Sequence, residues 1–163
     1  AKRVRILLEQ NDVRVVMVRE DDNGLYDEGT PNKKVQDMKR RMEVIEKSNA
    51  ILAVSIHQNS YSDMSVKGAQ VFYHKSSKKG KLLAECLQIN LKERVDGNNH
   101  RQAKENDSYY ILRTTEMPAV IVECGFLTNQ EEEKLLNDAG YQEKLAWAIY
   151  CGILDYFEKS SII

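Results

Sequence analysis

The chain has 163 residues, 42% of them hydrophobic and 30% charged, which fits one globular domain long enough to bury a core. Lys and Arg total 24 against 25 Asp and Glu, a formal net charge of −1, so bulk charge gives neither the cationic footprint of a nucleic-acid binder nor a strongly anionic face. No apolar run reaches transmembrane length, the start has no signal-peptide pattern, and Cys86, Cys124 and Cys151 are an odd set without CxxC spacing, which argues against a disulfide framework or a cysteine zinc knot.

The chain opens on Ala1, Val4, Leu7 and Leu8 at helical spacing with no capping residue before them, so it reads as the later part of a helix. Gln10-Asn11-Asp12 ends that helix, and Val13 to Val18 follow as an expected strand. Glu20 to Asn32 is a polar loop with Gly24, Gly29 and Pro31, and the next helix carries Val35, Met38, Met42 and Ile45 on one stripe. Ile51 to Ile56 is a short apolar run that ends on His57, as a buried strand of a parallel sheet does. Gly68 to His74 is a further strand, placed nearer an edge by its weaker pattern.

Ser76 or Ser77 caps a helix that buries Leu83, Leu87 and Leu91. Gly97 to Ser108 is a polar loop, and Tyr109 to Arg113 is expected as a short strand. Pro118 precedes a second apolar run, Ala119 to Val122, which ends on Glu123. Thr128-x-x-Glu131 has the form of a capping box for a helix from Asn129 to about Asp138. A last helix buries Leu145, Ile149, Gly152, Ile153 and Tyr156. Strands alternating with helices give an α/β class: one three-layer domain, a mostly parallel central sheet flanked by helices.

Two residues stand where ligands bind in such sheets, at the carboxyl ends of strands. His57 offers an imidazole whose direction a strand end fixes, suited either to a metal ion or to hydrogen bonds that merely satisfy it. Glu123 follows four apolar residues, and a buried carboxylate needs a partner or a task. It can take a proton from water beside a metal, or accept loop amides. Asn59 is placed to bind substrate or to close an Asx-turn, and Gly125 marks a tight turn where backbone approaches something closely. His74 and His100 read as surface histidines, and the three cysteines as buried thiols. Cys124 with His57 as its base is a rival nucleophile, which thiol alkylation would stop and a chelator would not.

Several of these segments together resemble a known family. Ser55-Ile56-His57-Gln58-Asn59, Lys67-Gly68-Ala69-Gln70-Val71-Phe72-Tyr73, Ile111-Leu112-Arg113 and Pro118-Ala119-Val120-Ile121-Val122-Glu123-Cys124-Gly125-Phe126-Leu127-Thr128-Asn129 are similar, in order, to the motifs of the zinc-dependent N-acetylmuramoyl-L-alanine amidases. Val18-Arg19-x-x-Asp22 and Arg41 match earlier landmarks. The chain looks most like the short single-domain amidases of the spore cortex and of germination. The resemblance implies a compact hydrolase that cuts the amide between the lactyl group of N-acetylmuramic acid and L-alanine of the stem peptide. It implies Zn2+ held by two histidines and a glutamate, with His57 as the second histidine ligand and Glu123 as the catalytic base. Arg113, Asn59 and Gly125 are then candidates to bind substrate.

The family's first histidine and its ligand glutamate have no match in the chain and belong before Ala1. The expectation is therefore an amidase domain lacking its N-terminal strand and first zinc-ligand motif, with weak zinc binding and little hydrolysis by residues 1–163 alone. The implied setting is outside the cytoplasm, in the cell wall or spore cortex. The implied partners are peptidoglycan and an activating or targeting protein, with no nucleic acid and no membrane span. The alternative is a non-catalytic peptidoglycan-binding or interaction protein on the same fold.

Overall fold

The computed structural model describes residues 1–160. In chain order it contains α1 (Lys2–Glu9), α2 (Lys33–Lys47), β1 (Ala53–Asn59), β2 (Gln70–Tyr73), α3 (Lys78–Arg94), β3 (Lys104–Glu105), α4 (Tyr110–Thr114), β4 (Ala119–Phe126), α5 (Gln130–Asn137) and α6 (Ala139–Ser160). The strands form one sheet in the order β1-β4-β2-β3. β1 runs parallel to β4 and β2 parallel to β3, while β2 is antiparallel to β4. The expected mostly parallel sheet is thus present, with one antiparallel seam at its centre. That seam follows from chain length. The connection from β1 to β2, residues 60–69, is shorter than the dozen or more residues a parallel crossover needs.

Side-chain alternation divides the sheet into two faces. Val120, Val122 and Cys124 of β4 and Val71 and Tyr73 of β2 face the larger core, built with Val4 and Leu8 of α1, Leu83, Leu87 and Leu91 of α3, and the buried stripe of α6. Ala119 and Ile121 of β4 and Phe72 of β2 face a smaller core with Leu112 of α4. α2 joins that second layer, where the Thr115 hydroxyl meets the Met42 sulfur at 3.9 Å. The expected three layers are observed, and every residue of β4 is buried. No helix among the described residues is long and apolar enough to cross a membrane.

Several local expectations are corrected. Val13 to Val18 form no strand. Val13 and Val15 pack against the core without joining the sheet ladder. Tyr109 to Arg113 is not a strand either: Tyr110–Thr114 is one short helix, α4, whose buried Leu112 plugs the smaller core. Its five residues carry too few turns for helical periodicity to show. β2 lies next to the edge, as expected, with only the two-residue β3 pairing beyond it. The capping box also shifts by one residue. Asn129, not Thr128, caps α5, and its Oδ1 accepts from the amides of Glu131 and Glu132 at 3.1 Å each. The Thr128 hydroxyl instead accepts from Tyr61 N–H at 3.1 Å. Ser77 caps α3 as expected, accepting from Gly80 N–H at 3.0 Å. The polar loop before α2 is fastened to that helix through Asp27 with Arg40 and through Asp37 with the Leu25 amide.

α3 and α6 pack backbone against backbone at Gly152. A Cβ there would lie 2.7 Å from Leu87 Cα and 3.1 Å from Leu87 N, and backbone cannot yield as a side-chain tip can. Gly152→Ala is expected to destabilise the fold by about 1–3 kcal/mol through overpacking. A thermal melt lowered by about 2–4 °C per kcal/mol checks this.

Candidate active site

The register sets the site. His57 on β1 is the Cα partner of Glu123 on β4, and Glu123 is the partner of Gln70 on β2. Paired residues on adjacent strands share a face, with backbones about 4.8 Å apart. His57, Glu123 and Gln70 therefore form one row across the sheet, above the smaller core. The two residues singled out by the apolar runs are neighbours, on the same side.

Glu123 is buried, and its Oε2 has no hydrogen-bond partner among the described residues. Burial pushes its carboxyl above the ordinary carboxylate range. The same carboxylate, after burial itself, helps raise the Tyr109 phenol, which places Tyr109 close to this row. His57 differs: its side chain is exposed at the rim. Desolvation of the ring against the sheet, and then the positive charges of Arg41 and Arg19, hold its imidazole below the usual histidine range. The ring is thus neutral near pH 7, the form that binds metal. Ser55, two residues earlier on the same face, has its Oγ 2.8 Å from His57 Nε2. With Ser55 accepting from Nε2–H, the Nδ1 lone pair stays available to a ligand.

A zinc ion takes imidazole nitrogen and carboxylate oxygen, so a neutral imidazole beside an unpartnered carboxyl suits it chemically. The set is small, however. Among the described residues no three His, Cys, Asp or Glu side chains gather into a group that could hold a metal ion, whereas a catalytic zinc normally has three protein ligands.

The other candidates occupy distinct places. Asn59 ends β1; its carbonyl accepts from Leu127 N–H at 2.8 Å, and its Oδ1 accepts from Ser60 N–H at 2.8 Å, so it ties the two strand ends together. Gly125 follows Glu123 closely and has φ +153°, a backbone conformation that favours glycine. Arg113, on α4, lines a cleft with His74, Ser77, Lys78 and Pro118 beside Ala119, at the opposite end of β4 from Glu123. Cys124 points to the larger core, away from His57, and burial pushes its thiol up to about 12. A thiol so protonated and so placed is no nucleophile, which removes the cysteine reading. His74 is partly covered and bonded to Ser76 and paired with Asp107, and His100 is exposed.

Sequence reasoning missed Ser55, although strand alternation places it on the face of His57. It also missed Glu132, a buried carboxylate that accepts backbone amides. Its position in the first turn of a predicted helix is shared with Glu131 and Glu133 and does not single it out.

The raised carboxyl has a consequence for stability. A group whose folded pKa lies above its unfolded value contributes stability at pH below the unfolded pKa, lost as pH rises through the folded one. The ionised, unpartnered Glu123 is therefore a cost at neutral pH. Glu123→Gln is expected to melt higher than the parent at pH 7 in the absence of metal. The gap should close below pH about 4, where Glu123 is protonated in both states. Equal melting temperatures from pH 4 to pH 8 would show that the carboxyl is not strained by burial.

Comparison with known proteins gives a consistent answer. The N-acetylmuramoyl-L-alanine amidase family matches residues 1–155. A germination-specific N-acetylmuramoyl-L-alanine amidase of Bacillus subtilis is 36% identical over 160 residues, covering 96% of this chain and 67% of that protein. The amidase LytC of the same organism is 28% identical over 159 residues, but this chain spans only 29% of its length. Among solved structures, the CwlD amidase of Clostridioides difficile, determined in complex with the GerS lipoprotein, superposes with a TM-score of 0.94 at 43% identity, covering 96% of this chain and 82% of that one. AmiC2 of Nostoc punctiforme superposes with a TM-score of 0.81 at 33% identity, covering 96% and 79%.

Proposed function

This chain belongs to the N-acetylmuramoyl-L-alanine amidases, a family of peptidoglycan hydrolases, and we propose that its site cleaves the amide joining the lactyl group of N-acetylmuramic acid to L-alanine of the stem peptide. The observation that carries the assignment to particular residues is the buried, unpartnered Glu123 carboxyl in one row with His57. We assign Glu123 as the general base and acid and His57 as a ligand of Zn2+. The zinc assignment is supported by the neutral imidazole and by the type of donors beside it. The resemblance implies a further histidine and a glutamate as ligands; no three His, Cys, Asp or Glu side chains gather into a metal-holding group among the described residues, so these residues do not complete a zinc site by themselves.

When bound, zinc supplies a Lewis acid for the amide carbonyl and for water. The chain's own residues do the following. Glu123 accepts a proton from the attacking water at a carboxylate oxygen, Oε2, that has no hydrogen-bond partner among the described residues. As the carbon–oxygen bond forms and the carbon–nitrogen bond breaks, the same carboxyl returns the proton to the departing α-amine of L-alanine. Its raised pKa helps here, because a base matched more closely to neutral pH is also a competent acid. Ser55 orients the His57 ring through the 2.8 Å contact at Nε2.

The cell wall or spore cortex is the proposed place of action, since the B. subtilis relative is germination-specific. A protein partner is part of the same reading, because the CwlD structure was solved as a complex with a lipoprotein. The test is digestion of purified peptidoglycan by zinc-loaded enzyme that carries a complete set of three zinc ligands, since the described residues alone do not supply one. New L-alanine α-amino groups without new reducing sugar ends support amidase action. Wall binding without any release of amines would favour the non-catalytic reading. A chelator should stop the reaction, and a thiol-alkylating reagent should not.

A further inference from the structure

The strand carrying Glu123 is irregular immediately after it. From the His57–Glu123 pair to the Asn59–Phe126 pair, β1 advances from 57 to 59 while β4 advances from 123 to 126. The extra residue falls within Cys124–Gly125, a β-bulge on β4. Bulges bend a strand and re-aim the side chains beside them, and they recur next to active sites. Gly125, at φ +153°, supplies the unusual backbone. Something must hold this bulge, because a bulged pair has lost ladder bonds.

Resting on the assignment of Glu123 as the catalytic base, we infer that Glu132 is a positioning residue that holds this bulge and through it aims the Glu123 carboxyl. Glu132 is 7% exposed, and backbone amides, rather than a cation, take both of its oxygens. Oε2 accepts from Phe126 N–H at 2.8 Å, the residue that ends the bulge, and Oε1 accepts from Gly68 N–H at 2.9 Å, before β2. One carboxylate therefore joins the end of β4 to the start of β2, the two strands whose register pairs Glu123 with Gln70. Hydrogen bonds to a charged acceptor are about twice as strong as neutral ones, and these two tie the residue that ends the bulge to the start of β2. The fit is close. A Cβ on Gly125 would lie 3.2 Å from the Glu132 carboxyl carbon and 3.2 and 3.3 Å from its two oxygens, so glycine at 125 lets the carboxylate reach the backbone. Glu132 is itself fixed from behind, since its own amide donates to the Asn129 cap at 3.1 Å. Arg101 closes the other side of the joint. Its guanidinium stacks on the Phe126 ring with 4.8 Å to the centroid, and its Nε donates to the Lys67 carbonyl at 2.7 Å.

The test is Glu132→Gln in zinc-loaded enzyme. The shape is kept, but one oxygen becomes an amino group facing an N–H. Amide hydrogen exchange at Phe126 or Gly68 should quicken by about tenfold or more, as expected for one buried hydrogen bond lost. Amides in the centres of α3 and α6 should keep their rates. On peptidoglycan fragments kcat should fall about tenfold or more while KM stays within about twofold, because an interaction used in the transition state has been disturbed and ground-state binding has not. The same measurements on Glu132→Asp, whose shorter arm reaches at most one amide, give an equivalent reading if the glutamine variant does not fold. Quickened exchange at Phe126 or Gly68 with an unchanged kcat would overturn the inference and leave Glu132 as fold support only. So would unchanged exchange and unchanged kcat. Glu123→Gln, run alongside, separates the premise from the inference: if that variant keeps its turnover, the assignment of the base has failed; if it loses turnover while Glu132→Gln does not, only the role of Glu132 has.

Discussion

Glu123→Ala in zinc-loaded enzyme is expected to lower the rate of muramoyl–alanine cleavage by at least about 10²–10⁴-fold, the usual worth of a positioned general acid–base group. The same carboxyl must take the proton from water and deliver it to the amine, so both proton transfers fail together. The fold should survive. Glu123 makes no hydrogen bond through Oε2 among the described residues, and its burial is a cost at neutral pH rather than a support. The loss should fall on kcat with KM little changed, because the carboxyl moves protons in the transition states and does not hold the glycan or the peptide in the ground state. Cleavage within tenfold of the parent enzyme would show that Glu123 is not the base. Tyr109, whose phenol lies close enough to feel the Glu123 charge, would then be the next residue to replace.

The site was legible because two apolar runs each lead to a polar residue. Neither residue ends its strand, as β1 continues past His57 to Asn59 and β4 past Glu123 to Phe126, but the two strands are paired in parallel with His57 opposite Glu123. Parallel neighbours start and stop together, so two such runs bring the polar residues that follow them side by side without any knowledge of the loops between them. Direction was less legible. β2 looks like any short apolar strand, and its antiparallel setting follows from the short connection at residues 60–69 rather than from its composition. α4 was misread because Tyr109 to Leu112 is a short aromatic and apolar run that suits a strand as well as a helix, while what fixes it as helix is the burial of Leu112 against Phe72 and Ile121. Val13 to Val18 was misread because a β-rich composition fits a half-buried surface, and an irregular segment can offer Val13 and Val15 to the core equally well.

Glu132 was illegible for a different reason. Glutamate in the first turn of a helix is common on dipole grounds alone, and Glu131, Glu132 and Glu133 all stand there in α5. Glu132 is buried and the other two are exposed, and no local pattern separates them. The difference lies in the Gly68 and Phe126 amides, which are distant in sequence from each other and meet only when the sheet forms. Motif residues that bind nothing directly are set by such long-range demands, whereas residues that follow an apolar run are set by that run.

His57→Ala is expected to act on the metal and not on the fold. The side chain is exposed and, among the described residues, its one close polar contact is to Ser55, so without metal the melting temperature should move little. Zinc affinity, measured by competition with a chromophoric chelator, should fall by more than about 100-fold, since removing a residue that merely supports a ligand already costs 10–100-fold. Glu123→Gln gives the opposite pattern: zinc affinity within a few-fold of the parent, with turnover lost. The two variants therefore divide labour that the geometry places in adjacent residues of one row. If both variants lose zinc equally, the Glu123 carboxylate is a ligand and the base must be sought elsewhere. If neither does, His57 holds no metal, and the neutral imidazole at the rim of the sheet serves substrate rather than zinc. Only the first pattern, metal lost at 57 and turnover lost at 123, is compatible with an imidazole that holds the ion and a buried carboxyl kept free of it to move protons.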